Sequence, residues 1–201
     1  MSSTSVVVFD MGGVLYDFQG DRLIARSSRR PRRWRREEVQ ALWPPLARGF
    51  ETGVQSEADF ALAVVSRFDL SLTPGEFLSE FQRAAVGFYE DALSLVAELR
   101  ERHRVFSLSN TNPVQWAKLL GDLGATDPFH GHHPSHVSGF HKPDARAFAA
   151  ASRRLSAGSE CYFFDDRTEN VEAARKFGWR AERVRGVAEA RAACRKASLL
   201  P

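Results

Sequence analysis

Residues 6–18 read VVVFDMGGVLYDF, and this stretch decides the fold. Four apolar residues of high strand propensity run into Asp10 and then into the pair Gly12-Gly13. A short apolar run without alternation suits a strand buried on both faces of a parallel sheet. In open α/β sheets ligands bind beyond the carboxyl ends of the strands, which is where Asp10 is expected. Gly12 and Gly13 let the backbone turn closely, so that its N–H groups can cradle an anion. By itself the motif is weak, because an Asp in this position can simply cap a turn.

Two further runs have the same character. Residues 104–112 read RVFSLSNTN and place Ser109 and Asn110 at a strand end; residues 161–178 read CYFFDDRTENVEAARKFG and place Asp165 and Asp166 at another. Helix signals follow both. Asn112-Pro113 reads as an N-cap and first helical residue with Trp116, Leu119, Leu120 and Leu123 on one face. Thr168 reads as the cap of a helix that buries Val171, Ala174 and Phe177 and stops at Gly178. Further strands are expected over Arg180–Val184 and near Phe129–His133. Strands alternating with helices predict an α/β fold, a Rossmann-like doubly wound parallel sheet.

From about Phe18 to Glu90 only helix signals occur. Ser56 with Asp59, and Thr73 with Pro74 and Glu76, read as capped helix starts. Phe60, Val64 and Phe68 form one apolar stripe, Phe77, Phe81 and Phe88 contribute to another, and Pro44-Pro45 is expected to break an earlier helix. The segment reads as a helical insert placed directly after the first strand.

Within this frame the chemistry-bearing residues fall at strand ends and helix starts. Residues 140–148, FHKPDARAF, put Lys142 before a helix expected to start at the proline, where its ammonium can reach a phosphate. Two adjacent carboxylates such as Asp165-Asp166 are costly unless a cation neutralises them, and hard oxygen ligands with open water positions suit Mg²⁺.

In this order the four motifs resemble the haloacid dehalogenase superfamily over nearly the whole chain. The strings FDMGGVL, LSNTN, KPD and FFDD, with a G-x-x-S element at Gly53–Ser56, are most similar to the branch of α-glucose-1-phosphate phosphatases and the phosphatase domain of soluble epoxide hydrolases. The resemblance implies a core of residues 1–17 and 90–201 and an α-helical cap of residues 18–89. It implies that Asp10 attacks phosphorus to form an aspartyl-phosphate that water then hydrolyses. It further implies that Mg²⁺ is held by Asp10, the Gly12 carbonyl and Asp166, with Asp165 a second, outer ligand and Asn170 orienting the groups behind the metal. Ser109 and the N–H groups near Met11, Gly12 and Asn110 would hold the phosphoryl oxygens, and Lys142 would offset the crowded negative charge.

One position departs from the pattern. Most phosphatases of this superfamily carry a second Asp two residues after the nucleophile as general acid and base, and here Gly12 stands in its place. Protonation of the leaving group must then come from water, the substrate or another side chain. Losing a general acid costs ~10²–10⁴ in rate, less when the leaving group is already stabilised.

The expected function is therefore a Mg²⁺-dependent phosphohydrolase for a small phosphorylated metabolite, a sugar phosphate among the candidates. The alternatives are a non-catalytic phosphate-binding or regulatory protein, kept open by Gly12, and a haloacid dehalogenase, which the Asp165-Asp166 pair argues against. In the 201 residues, 43% hydrophobic and 26% charged, no apolar run is long enough to cross a membrane. Two cysteines and no visible secretory signal give a cytoplasmic expectation. The run DRLIARSSRRPRRWRR over residues 21–36 could attract anions, but a solvated helical face accounts for it and nucleic-acid binding is disfavoured. The histidines of FHGHHPSH (His130, His132, His133, His136) are read as surface residues rather than a zinc site, and His141 as a residue of the site rim.

Overall fold

The computed structural model describes residues 5–30, 34–155 and 159–201. Its centre is β1 (Val6–Phe9), every residue of which is buried. β1 pairs in parallel with β4 (Arg104–Ser109) and with β6 (Cys161–Asp165), so Phe9 lies between Ser107 and Phe164. β5 (Gly131–Pro134) and β7 (Arg180–Arg183) close the five-stranded parallel sheet in the order β5-β4-β1-β6-β7.

The period-2 alternation of β1 sorts the core into two layers. Val7 and Phe9 face α5 (Ala92–Arg100), α6 (Pro113–Leu123) and α10 (Gly186–Lys196), packing with Leu95, Trp116 and Ala193. Val6 and Val8 face the other way onto Phe148 of α8 (Ala145–Ser152) and Ala174 of α9 (Thr168–Lys176). Both faces of the sheet are thus covered, as a parallel sheet requires.

Four helices lie between β1 and α5, the helix that leads into the next core strand. They are α1 (Gly20–Ser27), α2 (Arg36–Glu51), α3 (Glu57–Phe68) and α4 (Pro74–Arg83). Their apolar stripes meet in a separate cluster around Phe60, whose ring centroid lies 4.6 Å from Phe50 and 5.5 Å from Phe81. Ser56 accepts from the N–H of Asp59 at the start of α3, and Thr73 forms a capping box with Glu76 at the start of α4, as their sequence signatures predict.

Several expectations fail in detail. α2 runs straight through Pro44 and Pro45. Two prolines remove two N–H donors and each costs about 3 kcal/mol inside a helix, but Val39, Ala47 and Phe50 bury the same face on both sides of the pair and hold the turns together. The helical segment is also bounded by an antiparallel ribbon, β2 (Tyr16–Phe18) with β3 (Ala85–Phe88), so Phe88 sits on a strand, edge-on to Tyr16. Leu120 points to solvent, 44% exposed. Asp144, not the proline, caps α8, and Thr168 is the first residue of α9 rather than its cap. α7 (Ser135–Ser138) is a single turn following β5.

Candidate active site

The turn after β1 is organised by one acceptor. The N–H groups of Val14, Leu15 and Tyr16 all point at the carbonyl of Met11, at 3.3, 3.0 and 2.8 Å. This tight winding needs the left-handed backbone at Gly13 (φ +75°), where an added Cβ would lie 2.9 Å from Asp166 Oδ2. Gly12 differs from its neighbour, with no positive φ and nothing within 4 Å of where a Cβ would stand. The N–H groups of Met11 and Gly12 have no backbone acceptor among the described residues, so both remain available to an anion.

Under this turn lies Lys142, 1% exposed. Its ammonium contacts Asp10 Oδ1 at 2.9 Å and donates to Asp165 Oδ2 at 2.7 Å and to the Leu108 carbonyl at 2.6 Å. Asp165 is fully buried and saturated, also accepting from the Arg167 N–H at 2.9 Å and from Asn170 Nδ2 at 3.0 Å. Asn110 fixes the lysine from the other side: its Oδ1 accepts the Lys142 N–H at 2.8 Å and its Nδ2 donates to the Lys142 carbonyl at 2.9 Å.

Asp10, Asp165 and Asp166 each bring a carboxylate oxygen within 4.8 Å of the others. One buried ammonium faces three carboxyl groups, and the imbalance shows in their acidity. Burial, partly opposed by Lys142 and reinforced by Asp165 and Asp166, pushes the Asp10 carboxyl up to about 7. Burial and the neighbouring Asp165 also raise Asp166. Burial disfavours the charged ammonium of Lys142, but Asp10 and Asp165 overcome this and raise its pKa. A site with this surplus of hard oxygen donors fits a divalent cation such as Mg²⁺.

Seven of the nine residues singled out in the sequence, Asp10, Met11, Gly12, Ser109, Asn110, Asp166 and Asn170, line one pocket of about 210 Å³. Lys142 and Asp165 lie beneath it. Phe18, Trp43 and Glu51 border the pocket from the helical segment. Tyr16 also lines it but is tied down by a 2.6 Å hydrogen bond from its hydroxyl to Asp122.

Two features escaped the sequence reading. Glu51 at the end of α2 accepts from His141 Nε2 at 2.7 Å, joining the helical segment to the loop of Lys142. Because Asn110 Nδ2, 3.1 Å from His141 Nδ1, is a donor by its Lys142 contact, Nδ1 is the acceptor and Nε2 carries the proton. His141 was visible at the rim, whereas no signal in the string FETG marks Glu51. The second is a larger cavity, about 490 Å³, which shares Phe18, Trp43, Pro44, Asp166 and Arg167 with the reaction pocket and adds Arg183 and Arg185.

Of the other histidines in this stretch His130 is exposed as expected, whereas His132 and His136 are half-buried and His133 is buried. His132 and His133 lie on β5. His132 bridges Ser107 Oγ (2.7 Å) and Asp127 (2.8 Å), while His133 is buried against Phe106 with its Nε2 unpartnered. Burial, with Arg154 and His132 nearby, lowers His133 to about 4. The arginine run is not one helical face. Arg26 pairs with Glu80 and Arg29 and Arg30 pair with Asp69, while Arg32 and Arg33 lie outside the described residues. No helix among the described residues is long and apolar enough to cross a membrane.

Comparison with known proteins agrees with this fold. A family model described as haloacid dehalogenase-like hydrolase matches residues 4–178. A phosphatase of Mycobacterium tuberculosis is 30% identical over 188 residues, covering 89% of this chain and 86% of its own. A haloacid dehalogenase family enzyme of Bacteroides thetaiotaomicron, solved with magnesium and inorganic phosphate, superposes with a TM-score of 0.69 at 20% identity, covering 90% of this chain and 93% of that one. L-2-haloacid dehalogenase of Xanthobacter autotrophicus superposes with a TM-score of 0.64 at 23% identity, over 90% and 77% of the two chains.

Proposed function

The chain belongs to the haloacid dehalogenase-like hydrolase family, and we propose that within it this enzyme is a Mg²⁺-dependent phosphatase of small phosphomonoesters with Asp10 as nucleophile. The observation that carries this reading is the cluster of three carboxylates over a single buried ammonium at the carboxyl edge of the sheet. Asp10 and Asp166, with the Gly12 carbonyl, would hold the cation, which would supply charge neutralisation to the phosphoryl group and lower the acidity penalty on Asp10. Asp165 is engaged by Lys142, Asn170 and the Arg167 N–H, which suits it to fixing the lysine and the outer sphere of the cation.

In this mechanism an Asp10 oxygen attacks phosphorus, the phosphorus–alkoxide bond breaks, and the alcohol departs with a proton from a source other than residue 12. Water then attacks the phosphorus of the aspartyl-phosphate, releasing inorganic phosphate and restoring the carboxylate. The free N–H groups of Met11 and Gly12, with Ser109, would hold the equatorial oxygens. Residues 18–89 would act as the cap that closes the pocket, latched to residues 90–201 through Glu51 and His141.

Haloacid dehalogenation uses the same kind of nucleophile without a metal. Without a cation, burial and the neighbouring Asp165 and Asp166 would keep the pKa of Asp10 raised and blunt it, which argues against that reading. A panel of phosphate esters assayed for phosphate release with and without Mg²⁺, beside a halide-release assay on 2-chloropropionate, tests the proposal. Phosphate release only with Mg²⁺ is expected; halide release without phosphate release would overturn it.

A further inference from the structure

The reaction pocket, at about 210 Å³, is the smaller of two connected spaces. The second, about 490 Å³, opens from it along Phe18, Trp43 and Asp166 and is walled on the sheet side by the segment that follows β7. The backbone there is fixed. Val184 N–H donates to the Asp165 carbonyl at 3.0 Å and Gly186 N–H donates to the Gly13 carbonyl at 2.8 Å, so this segment is bolted to both acidic loops. Val184 is buried between them. With Val184 turned inward, the extended-chain alternation sends Arg183 and Arg185 out together, toward the cavity they line.

The charged side chains lining this cavity balance in number, Arg167, Arg183 and Arg185 against Asp21, Asp166 and Glu169, but they are not all paired with one another. Arg167 is paired with Glu169. Asp21 has a partner of its own, and Asp166 belongs to the carboxylate cluster. Arg183 and Arg185 make no ion pair within 4 Å among the described residues, although the Arg185 charge acts on Asp166 and partly opposes its raised pKa; both are long, fork-shaped donors suited to planar or tetrahedral anions. The first turn of α9, entering through Thr168, adds a favourable field for negative charge on the same wall. Opposite, Phe18 and Trp43 offer apolar surface for the body of a ligand.

We infer that this cavity is the leaving-group subsite, and that the substrate is a phosphomonoester whose alcohol carries a second anionic group, a carboxylate or another phosphoryl, bound by Arg183 and Arg185. The inference rests on the phosphatase reading above. It narrows the substrate class: with the scissile phosphoryl on Asp10, the alcohol extends past Trp43 and places its second charge on the arginine pair. A neutral alcohol of the same length forgoes that contact.

The test is a matched series of alkyl phosphates of increasing chain length, ended by a hydroxyl, a carboxylate or a second phosphate, assayed for phosphate release in Mg²⁺. At the length that spans the two spaces, one of the anionic esters should exceed its hydroxyl counterpart in kcat/KM by about ten-fold to a hundred-fold, the range set by charge-assisted hydrogen bonds. Which anionic arm leads tells a carboxylate from a phosphoryl ligand. In the double variant Arg183→Gln/Arg185→Gln that ratio should fall to about one; both side chains are exposed, and far-UV circular dichroism checks the fold. Raising the ionic strength should lower the same ratio in the unmodified enzyme, a measurement that needs no variant. If phenyl phosphate is hydrolysed but no anionic ester is preferred at any length, or the preference survives the double substitution, the subsite is wrong. If phenyl phosphate itself releases no phosphate, the phosphatase reading falls and this inference falls with it.

Discussion

Replacing Lys142 by Met isolates the electrostatic problem the fold has solved. Methionine keeps an unbranched side chain of similar length on the face of the Phe163 ring where the ammonium now sits, 5.2 Å from its centroid, and removes only the charge and its donors. At 2.9 and 2.7 Å from Asp10 and Asp165, and at an effective dielectric of about 20, each gross attraction is about 6 kcal/mol. Burial of the three groups cancels most of that sum. What remains for the variant is the cost of stranding buried carboxylates, about 3–5 kcal/mol. For a chain of this size that corresponds to a fall in Tm of roughly 6–20 °C, measured calorimetrically in EDTA. The deficit should be smaller at pH 5.5 than at pH 8, because the raised pKa of metal-free Asp10 lets it shed its charge by binding a proton. Mg²⁺ should restore part of the stability but no turnover. A drop of less than about 2 °C at pH 8 would refute the electrostatic reasoning.

Three further outcomes follow from the geometry. Asp10, raised to about 7 from 3.8, contributes stability that is present below pH 3.8 and lost as pH rises through 7 in metal-free protein; the Tm increment on adding Mg²⁺ should therefore grow between pH 5 and 7.5, and a flat increment would count against Asp10 as a ligand. His133, depressed to about 4 from 6.5, acts in the opposite sense, its stability present above pH 6.5 and lost as pH falls through 4; His133→Phe should recover about 2–3 kcal/mol of stability near pH 4, and equal acid lability of both proteins would contradict this. Gly13→Ala should cripple turnover through its φ of +75° and its contact with Asp166, whereas Gly12→Asp should fold normally and flatten a kcat/KM that in the unmodified enzyme falls steeply with leaving-group pKa; a slope already flat before substitution would mean another side chain supplies the proton.

How much of this was legible in the sequence depends on the range of the forces involved. β1, β4 and β6 are short apolar runs that end on polar residues, so local pattern alone located them and, with them, Asp10, Ser109, Asn110, Asp165 and Asp166. Caps at Ser56, Thr73 and Asn112 were likewise local and visible. The β2–β3 ribbon was not, because strands of three and four residues acquire their identity only by pairing across the whole helical segment. α2 was expected to end at its prolines, since backbone rules see the lost donors but not the burial of Val39 before them and Phe50 after them. The Glu51–His141 contact and the Arg183–Arg185 wall depend on where α2 and β7 come to rest, which spacing in the chain does not encode.

The central claim is that the Asp10 carboxylate takes the phosphoryl group. The direct measurement is acid-quench trapping during turnover of an aryl phosphate in Mg²⁺, followed by borohydride reduction and peptide mass analysis, which converts an acyl phosphate at position 10 into homoserine. Homoserine should appear at position 10 only when substrate and Mg²⁺ are both present, and the Asp10→Asn variant should release no phosphate. Undiminished phosphate release from Asp10→Asn, with position 10 never labelled in the unmodified enzyme, would contradict the account.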